Sequence, residues 1–175
     1  MRKINLDELS AMAVIAKGRI NKIYLHWTAG RYGQFFTDYH ISIDKDGSMY
    51  APDDLLRRKS HTWMRNTRAV AIALCCGFGA KCYADGTVDF GEVPPTKEQI
   101  EAAAKAVAVL CKELGLACAK DNVMTHCEAA EIDGYGPSTT CERWDLWKLP
   151  DYPSGRIKDG GEVIRGKAIW YMEAG

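Results

Sequence analysis

The stretch "KIYLHWTAG", Lys22–Gly30, decides how the chain is read. Its first six residues are rich in β-formers, and the small-residue turn Thr28-Ala29-Gly30 closes the run, so it reads as a strand. The strand delivers an imidazole, His26, at its exit. "NVMTH", Asn122–His126, repeats the arrangement: a short strand that delivers His126. "RAVAIALCCGFG", Arg68–Gly79, is apolar on both faces, as a central buried strand must be. "DYHISIDKDGSMYAPDD", residues 38–54, reads as two strands around Asp46-Gly47, a dipeptide that favours a tight hairpin turn.

Helices frame these strands. Asn5 ahead of Asp7 and Glu8 starts a helix over residues 6–17, and Gly18 stops it. Thr96 and Gln99 form a capping box. Behind it, Ile100, Ala103, Ala104, Val107, Leu110, Cys111 and Leu114 recur at helical spacing up to Gly115. "EIDGYGPSTT" reads as a turn-rich loop and "CERWDLWKL" as the start of a short helix. Residues 151–168 read as an exposed tail, and "AIWYM" as a final strand covering a sheet edge. The sum is an α/β protein: a mixed central β-sheet flanked by helices. Residues 1–150 form a single domain, and 151–175 are a C-terminal extension packed on it.

Composition narrows the partners. The chain has 175 residues, with 23 basic and 23 acidic side chains. A balanced charge gives no footprint for nucleic acid or an anionic membrane surface. No run of about 18 apolar residues is present, so no membrane insertion is expected. "MRKINLDELSAM" places carboxylates where a signal peptide needs its apolar stretch, so synthesis in the cytoplasm is expected. Seven cysteines, an odd number with no CxxC, read as reduced thiols rather than a disulfide framework. A monomer is expected.

The chemistry rests on histidine. Of the four, His26 and His126 stand at strand exits far apart in sequence. If those strands are sheet neighbours, both imidazoles point into one mouth. Two imidazoles and one anionic ligand make a catalytic zinc site with an open fourth position. The third ligand would follow His126, and the candidates are Glu128, Glu131, Asp133, Cys141 and Asp145. Spacing alone does not choose between a thiolate at Cys141 and a carboxylate at Asp145. His40 faces away from Tyr39 along its strand and reads as structural. The same alternation leaves Cys127 poorly placed to use His126 as a base.

"LHWTAG", "DYHISIDKDGSMY", "THCEAAEIDGYGP" and "CERWDL", in this order, resemble the zinc-dependent N-acetylmuramoyl-L-alanine amidases. This is the amidase-2 family, which includes phage endolysins and the peptidoglycan recognition proteins. The resemblance covers roughly residues 20–150. It implies Zn2+ as cofactor, with His26 and His126 as ligands. It favours Asp145 as the third ligand, because Arg143 stands two positions before it, with Cys141 as the alternative. It further implies Tyr39 beside the reacting water, Arg143 at the oxyanion, and His61 near the substrate groove. Trp27 is expected to contact substrate, with Trp63, Trp144 and Trp147 as further groove aromatics. One departure stands out: some branches carry a catalytic glutamate in the central strand where this chain has Ala73. The implied activity is hydrolysis of the bond between N-acetylmuramic acid and L-alanine in peptidoglycan, as a phage or prophage endolysin acting on the wall after release. The alternatives are a cytoplasmic muropeptide-recycling amidase and a non-catalytic peptidoglycan-binding module.

Overall fold

A computed structural model describes residues 1–52 and 54–175. A six-stranded mixed sheet carries the site. β1 is Arg2–Ile4, β2 Lys22–Trp27, β3 Ile41–Ile43, β4 Met49–Ala51, β5 Ala69–Leu74 and β8 Val123–Thr125. Their order across the sheet is β1-β4-β3-β5-β2-β8. β3, β5, β2 and β8 run parallel, while β4 and β1 add antiparallel pairs at one edge. Between β5 and β8, β6 (Lys81–Cys82) and β7 (Val88–Asp89) form a small separate hairpin.

Side-chain alternation divides the sheet into two faces. Ile23, Leu25 and Trp27 of β2 join Val70, Ile72 and Leu74 of β5 in the main core. Two helices cover that face: α1, Leu6–Ala16, and α2, Lys97–Leu114. They supply Leu9, Ala13, Ile100, Val107 and Leu110, all fully buried. Each such Leu or Ile contributes about 2 kcal/mol of transfer free energy. α2 opens on the capping box expected from sequence, Thr96 with Gln99, and α1 opens at the expected Asn5, which forms a capping box with Glu8 that the sequence reading did not single out. α2 closes on Gly115 at φ 72°, a left-handed cap that glycine adopts without Cβ strain. The opposite face of β2 carries Tyr24 and His26.

Several local expectations are corrected. His126 does not end a strand; it begins α3, His126–Asp133. Thr125 accepts from the Glu128 amide and the Glu128 carboxylate accepts from the Thr125 amide, a third capping box that T-x-x-E already spells. The start of "EIDGYGPSTT" is therefore helical. "CERWDLWKL" forms no helix. Cys141 and Leu146 take left-handed φ values of 55° and 60°, which interrupt any helix there, and the segment runs into β9, Lys148–Asp151. β9 pairs with β10, Arg156–Asp159. Residues 151–168 are exposed as expected over 153–159, but they are ordered in this hairpin and then enter a helix that packs on the core; "AIWYM" is not a strand and lies in that helix, α4, Gly160–Ala174. Val163, Ile164, Ala168, Tyr171 and Met172 recur at helical spacing and pack on the core. β1 occupies the sheet edge instead. Asp53, in the last positions of the expected second hairpin strand, lies outside the described residues.

α4 fixes the segment that carries Asp145. The Gly160 amide donates to the Trp147 carbonyl at 2.9 Å. A Cβ on Gly160 would sit 1.9 Å from the Leu146 carbonyl oxygen. Backbone cannot yield to that overlap as a flexible side chain would. Gly160→Ala is therefore expected to destabilise the fold by about 3 kcal/mol. In a chain of this size that lowers Tm by roughly 6–12 °C. Thermal denaturation checks it, and an unchanged Tm would mean that α4 does not meet Leu146 this closely.

Candidate metal centre and groove

The parallel register places the two imidazoles. Leu25 of β2 stands opposite Thr125 of β8, so the next residue of each, His26 and His126, emerges at the same sheet edge. The carboxyl ends of parallel strands are where open α/β sheets build their sites. The ring centroids lie 4.8 Å apart, and the two Nδ1 atoms 3.1 Å apart. Asp145 completes a triangle: Oδ2 is 3.3 Å from His26 Nδ1, and Oδ1 is 3.4 Å from His126 Nδ1. All three side chains are buried.

The other candidate ligands are engaged elsewhere. Arg165 of α4 clasps Glu128 with two donors, at 2.8 and 3.0 Å. Glu131 accepts from the Ser138 amide at 2.7 Å. Arg65 holds Asp133 with two donors, at 2.7 and 2.9 Å. Cys141 Sγ lies 2.8 Å from Cys82 Sγ. Among the described residues, His26, His126 and Asp145 are the cluster of metal-ligating groups.

This set fits zinc. Ligand atoms held about 2.0–2.2 Å from a tetrahedral ion stand about 3.3–3.5 Å from one another. The two Nδ1 atoms are 3.1 Å apart, each lies 3.3–3.4 Å from one Asp145 oxygen, and one ligand atom from each residue falls within 4.8 Å of the others. Asp145 Oδ1 is buried with no hydrogen-bond partner among the described residues, a costly arrangement for a carboxylate without a cation. Burial opposes ionisation of Asp145, but the His126 and His26 imidazoles outweigh it and hold the carboxyl below its usual range. Burial lowers the His26 pKa, against the opposing pull of Asp145, and so favours the neutral ring that ligation needs.

A relay behind His26 fixes its ring. Its far nitrogen, Nε2, lies 3.3 Å from Thr62 Oγ1, which lies 2.8 Å from His61 Nδ1. With His26 Nδ1 facing the triangle, the pattern assigns the proton to Nε2, donating to Thr62, whose hydroxyl donates to His61. Burial, then the neighbouring imidazoles, push His61 well below its ordinary pKa, so it stays neutral and can accept. Tyr135 plays the matching part for His126, with its hydroxyl 3.4 Å from Nε2. Sequence reading missed Thr62 and Tyr135. A threonine beside a histidine and a tyrosine between two glycines carry no distinctive spacing.

Two adjoining pockets of about 620 and 440 Å3 open onto the centre and share Ser60, His61, His126, Glu142 and Arg143. The Tyr39 ring lies 5.1 Å from the His26 ring. Burial raises its pKa, helped by the nearby carboxylates, so it presents a protonated hydroxyl. Arg143 is exposed on the rim of both pockets. Trp27 alternates with His26 and is only 6% exposed, packed edge-on against Trp144 at 5.1 Å. Gly77 lies against its ring face, where a Cβ would come within 2.8 Å. Trp63, 64% exposed and edge-on to Tyr135, is the indole that the groove presents to solvent. His40 is structural: Nδ1 accepts from the Ala71 amide at 3.0 Å and Nε2 donates to the Arg57 carbonyl at 2.8 Å. Cross-strand register puts Ser42, Ala73 and His26 in one row on the site face of the sheet. Ala73 brings no acid or base to that row. Among the described residues, no helix is long and apolar enough to cross a membrane.

The family model for N-acetylmuramoyl-L-alanine amidase matches residues 16–144, ending one residue before Asp145. No curated protein matches the chain. Among solved structures, the endolysin N-acetylmuramoyl-L-alanine amidase LysCS from Clostridium intestinale URNW is similar at 19% identity and TM-score 0.44. That match covers 62% of this chain and 69% of LysCS. The Drosophila peptidoglycan recognition protein SA is similar at 16% identity and TM-score 0.41, over 62% of this chain and 68% of its own. PGRP-Hd from Alvinella pompejana is similar at 18% identity and TM-score 0.42, over 71% of this chain and 76% of its own.

Proposed function

Because the chain belongs to the N-acetylmuramoyl-L-alanine amidase family, we propose that it is a zinc-dependent hydrolase. Its substrate is the amide joining the lactyl group of N-acetylmuramic acid to L-alanine in peptidoglycan. The observation that carries this reading is the buried His26–His126–Asp145 triangle, with its 3.1–3.4 Å edges, at the foot of an open groove. Bound there, zinc supplies a Lewis acid that polarises an amide carbonyl and acidifies water. The chain's own residues do the rest. His26, His126 and Asp145 hold the ion. Thr62 with His61, and Tyr135, hold the two imidazoles in register. Tyr39 offers its protonated hydroxyl to the developing oxyanion and to the leaving amine. Arg143 brings a fixed positive charge to the rim where that oxyanion forms. Trp63 offers a flat apolar face to sugar or peptide, and Trp27 backs the groove wall from beneath.

The setting we infer is that of a phage or prophage endolysin, made in the cytoplasm and acting on the wall after release. One observation favours a second reading, a receptor on the same fold: Ala73 leaves β5 without the carboxylate that some branches use. Catalysis separates the two. Chelator-stripped protein is expected to release no amine from purified peptidoglycan, and stoichiometric zinc is expected to restore release of peptides with a free L-alanine N-terminus. Muropeptide binding that zinc restores without amine release would move the protein to the receptor reading.

A further inference from the structure

Cys82 and Cys141 lie 59 residues apart in sequence, yet their sulfurs are 2.8 Å from each other. Both side chains are half-buried. Cys82 sits on β6 of the small hairpin. Cys141 sits in the segment between α3 and β9, two residues before Arg143 and four before Asp145. Its φ of 55° is a left-handed conformation that a non-glycine residue rarely adopts. The backbone is pinned there, since the Cys141 amide donates to the Gly136 carbonyl at 2.9 Å. Neither sulfur belongs to the metal triangle.

We propose that Cys82 and Cys141 form a redox-modification site, which closes into a disulfide in an oxidising medium and ties the β6–β7 hairpin to the wall of the groove. The oxidant is a low-molecular-weight disulfide. A thiolate of the pair attacks one of its sulfurs, forming a mixed disulfide and expelling one small thiol. The second cysteine then attacks the bound sulfur and expels the other small thiol. Two cysteine thiols are oxidised, one small disulfide is reduced, and the two cysteine protons leave on the two released thiols. Burial and the neighbouring sulfur push the Cys82 thiol up to about 11, so closure is slow at neutral pH and faster in alkali. A reducing medium keeps the pair open, and an oxidising one lets it close. Cys75, Cys76, Cys111 and Cys127 are fully buried. Cys118 is half-buried like the pair, but its Sγ donates to the Arg165 carbonyl at 3.8 Å and its sulfur neighbour, Cys111, is buried. The proposal stands apart from the hydrolase reading, because neither its chemistry nor its test uses the metal.

The test is incubation of the whole chain with oxidised glutathione at pH 8.5, followed by thiol counting, peptide mapping and thermal melting. Two of the seven thiols are expected to disappear. A cross-link is expected between the peptide with Cys82 and the peptide with Cys141. Fragmentation assigns the second sulfur, because Cys127 lies in the same tryptic peptide. Closing a loop of this length is expected to raise Tm on the order of 10 °C, reversibly with reductant. Cys82→Ser and Cys141→Ser are each expected to abolish the cross-link and the Tm shift together. Seven titratable thiols after an exposure that oxidises the unfolded chain, or a cross-link between any other pair, would overturn the proposal.

Discussion

Asp145→Asn is expected to strip the centre of its metal while leaving the fold in place. The amide has the shape of the carboxylate but no charge, and a neutral oxygen is a poor match for a dication held by two neutral imidazoles. Zinc affinity is expected to fall by more than about 100-fold, beyond the loss that follows removal of an outer partner. Peptide release from peptidoglycan is expected to be lost with it. Cys141→Ala supplies the contrast. Its sulfur faces Cys82, not the imidazoles, so zinc content is expected to match the parent chain. Zinc titration of the two variants by competition with a chromophoric chelator decides between them. Retained zinc in Asp145→Asn with loss in Cys141→Ala would transfer the third ligand to the thiolate.

The second large effect comes from behind the metal. Thr62→Val keeps the volume of the side chain and removes only the hydroxyl that joins His26 Nε2 to His61 Nδ1. Two buried nitrogens then lose their partner, at a cost of about 1–3 kcal/mol each. His26 also loses the group that fixes its tautomer and tilt, so zinc affinity is expected to fall about 10–100-fold. Thr62→Ser restores the hydroxyl and is expected to recover most of the loss. A cobalt-substituted protein provides a readout that ordinary destabilisation does not move. Its visible spectrum is expected to change shape in the valine variant and to return in the serine variant. Identical zinc affinities and cobalt spectra for the parent chain and Thr62→Val would remove Thr62 from the metal site.

What the sequence carried, and what it withheld, follows from the range of each interaction. Runs of β-formers, a strand apolar on both faces and helix-start residues are local, so β2, β5, α1 and α2 were legible, and so was the placing of His26 and His126 at the exits of β2 and β8. The approach of His26 to His126 needed the two strands to be neighbours. Alternation and exit residues permit that pairing, and the Leu25–Thr125 register fulfils it. Asp145 was not separable from Cys141 by spacing. What separates them is non-local: Asp145 reaches both imidazoles, while Cys141 faces Cys82. Arg165 and Arg65 likewise hold Glu128 and Asp133 away from the centre. α4 was misread because Ala168–Met172 is rich in β-formers, and packing against α2 overrides that preference. The left-handed residues at Cys141 and Leu146 suit neither residue type by propensity. They follow from a segment held at Gly136 on one side and at Gly160 on the other. Thr62 and Tyr135 act through geometry alone, which no spacing rule exposes.

The central claim is that the triangle of His26, His126 and Asp145 serves hydrolysis of one particular amide. Mass spectrometry of purified peptidoglycan digested by the zinc-loaded protein tests it most directly. The account predicts stem peptides that begin with a free L-alanine amine, and glycan strands whose N-acetylmuramic acid keeps its lactyl carboxylate. Peptides cut at any other bond, cleaved sugar linkages, or tight binding with every bond intact would contradict it.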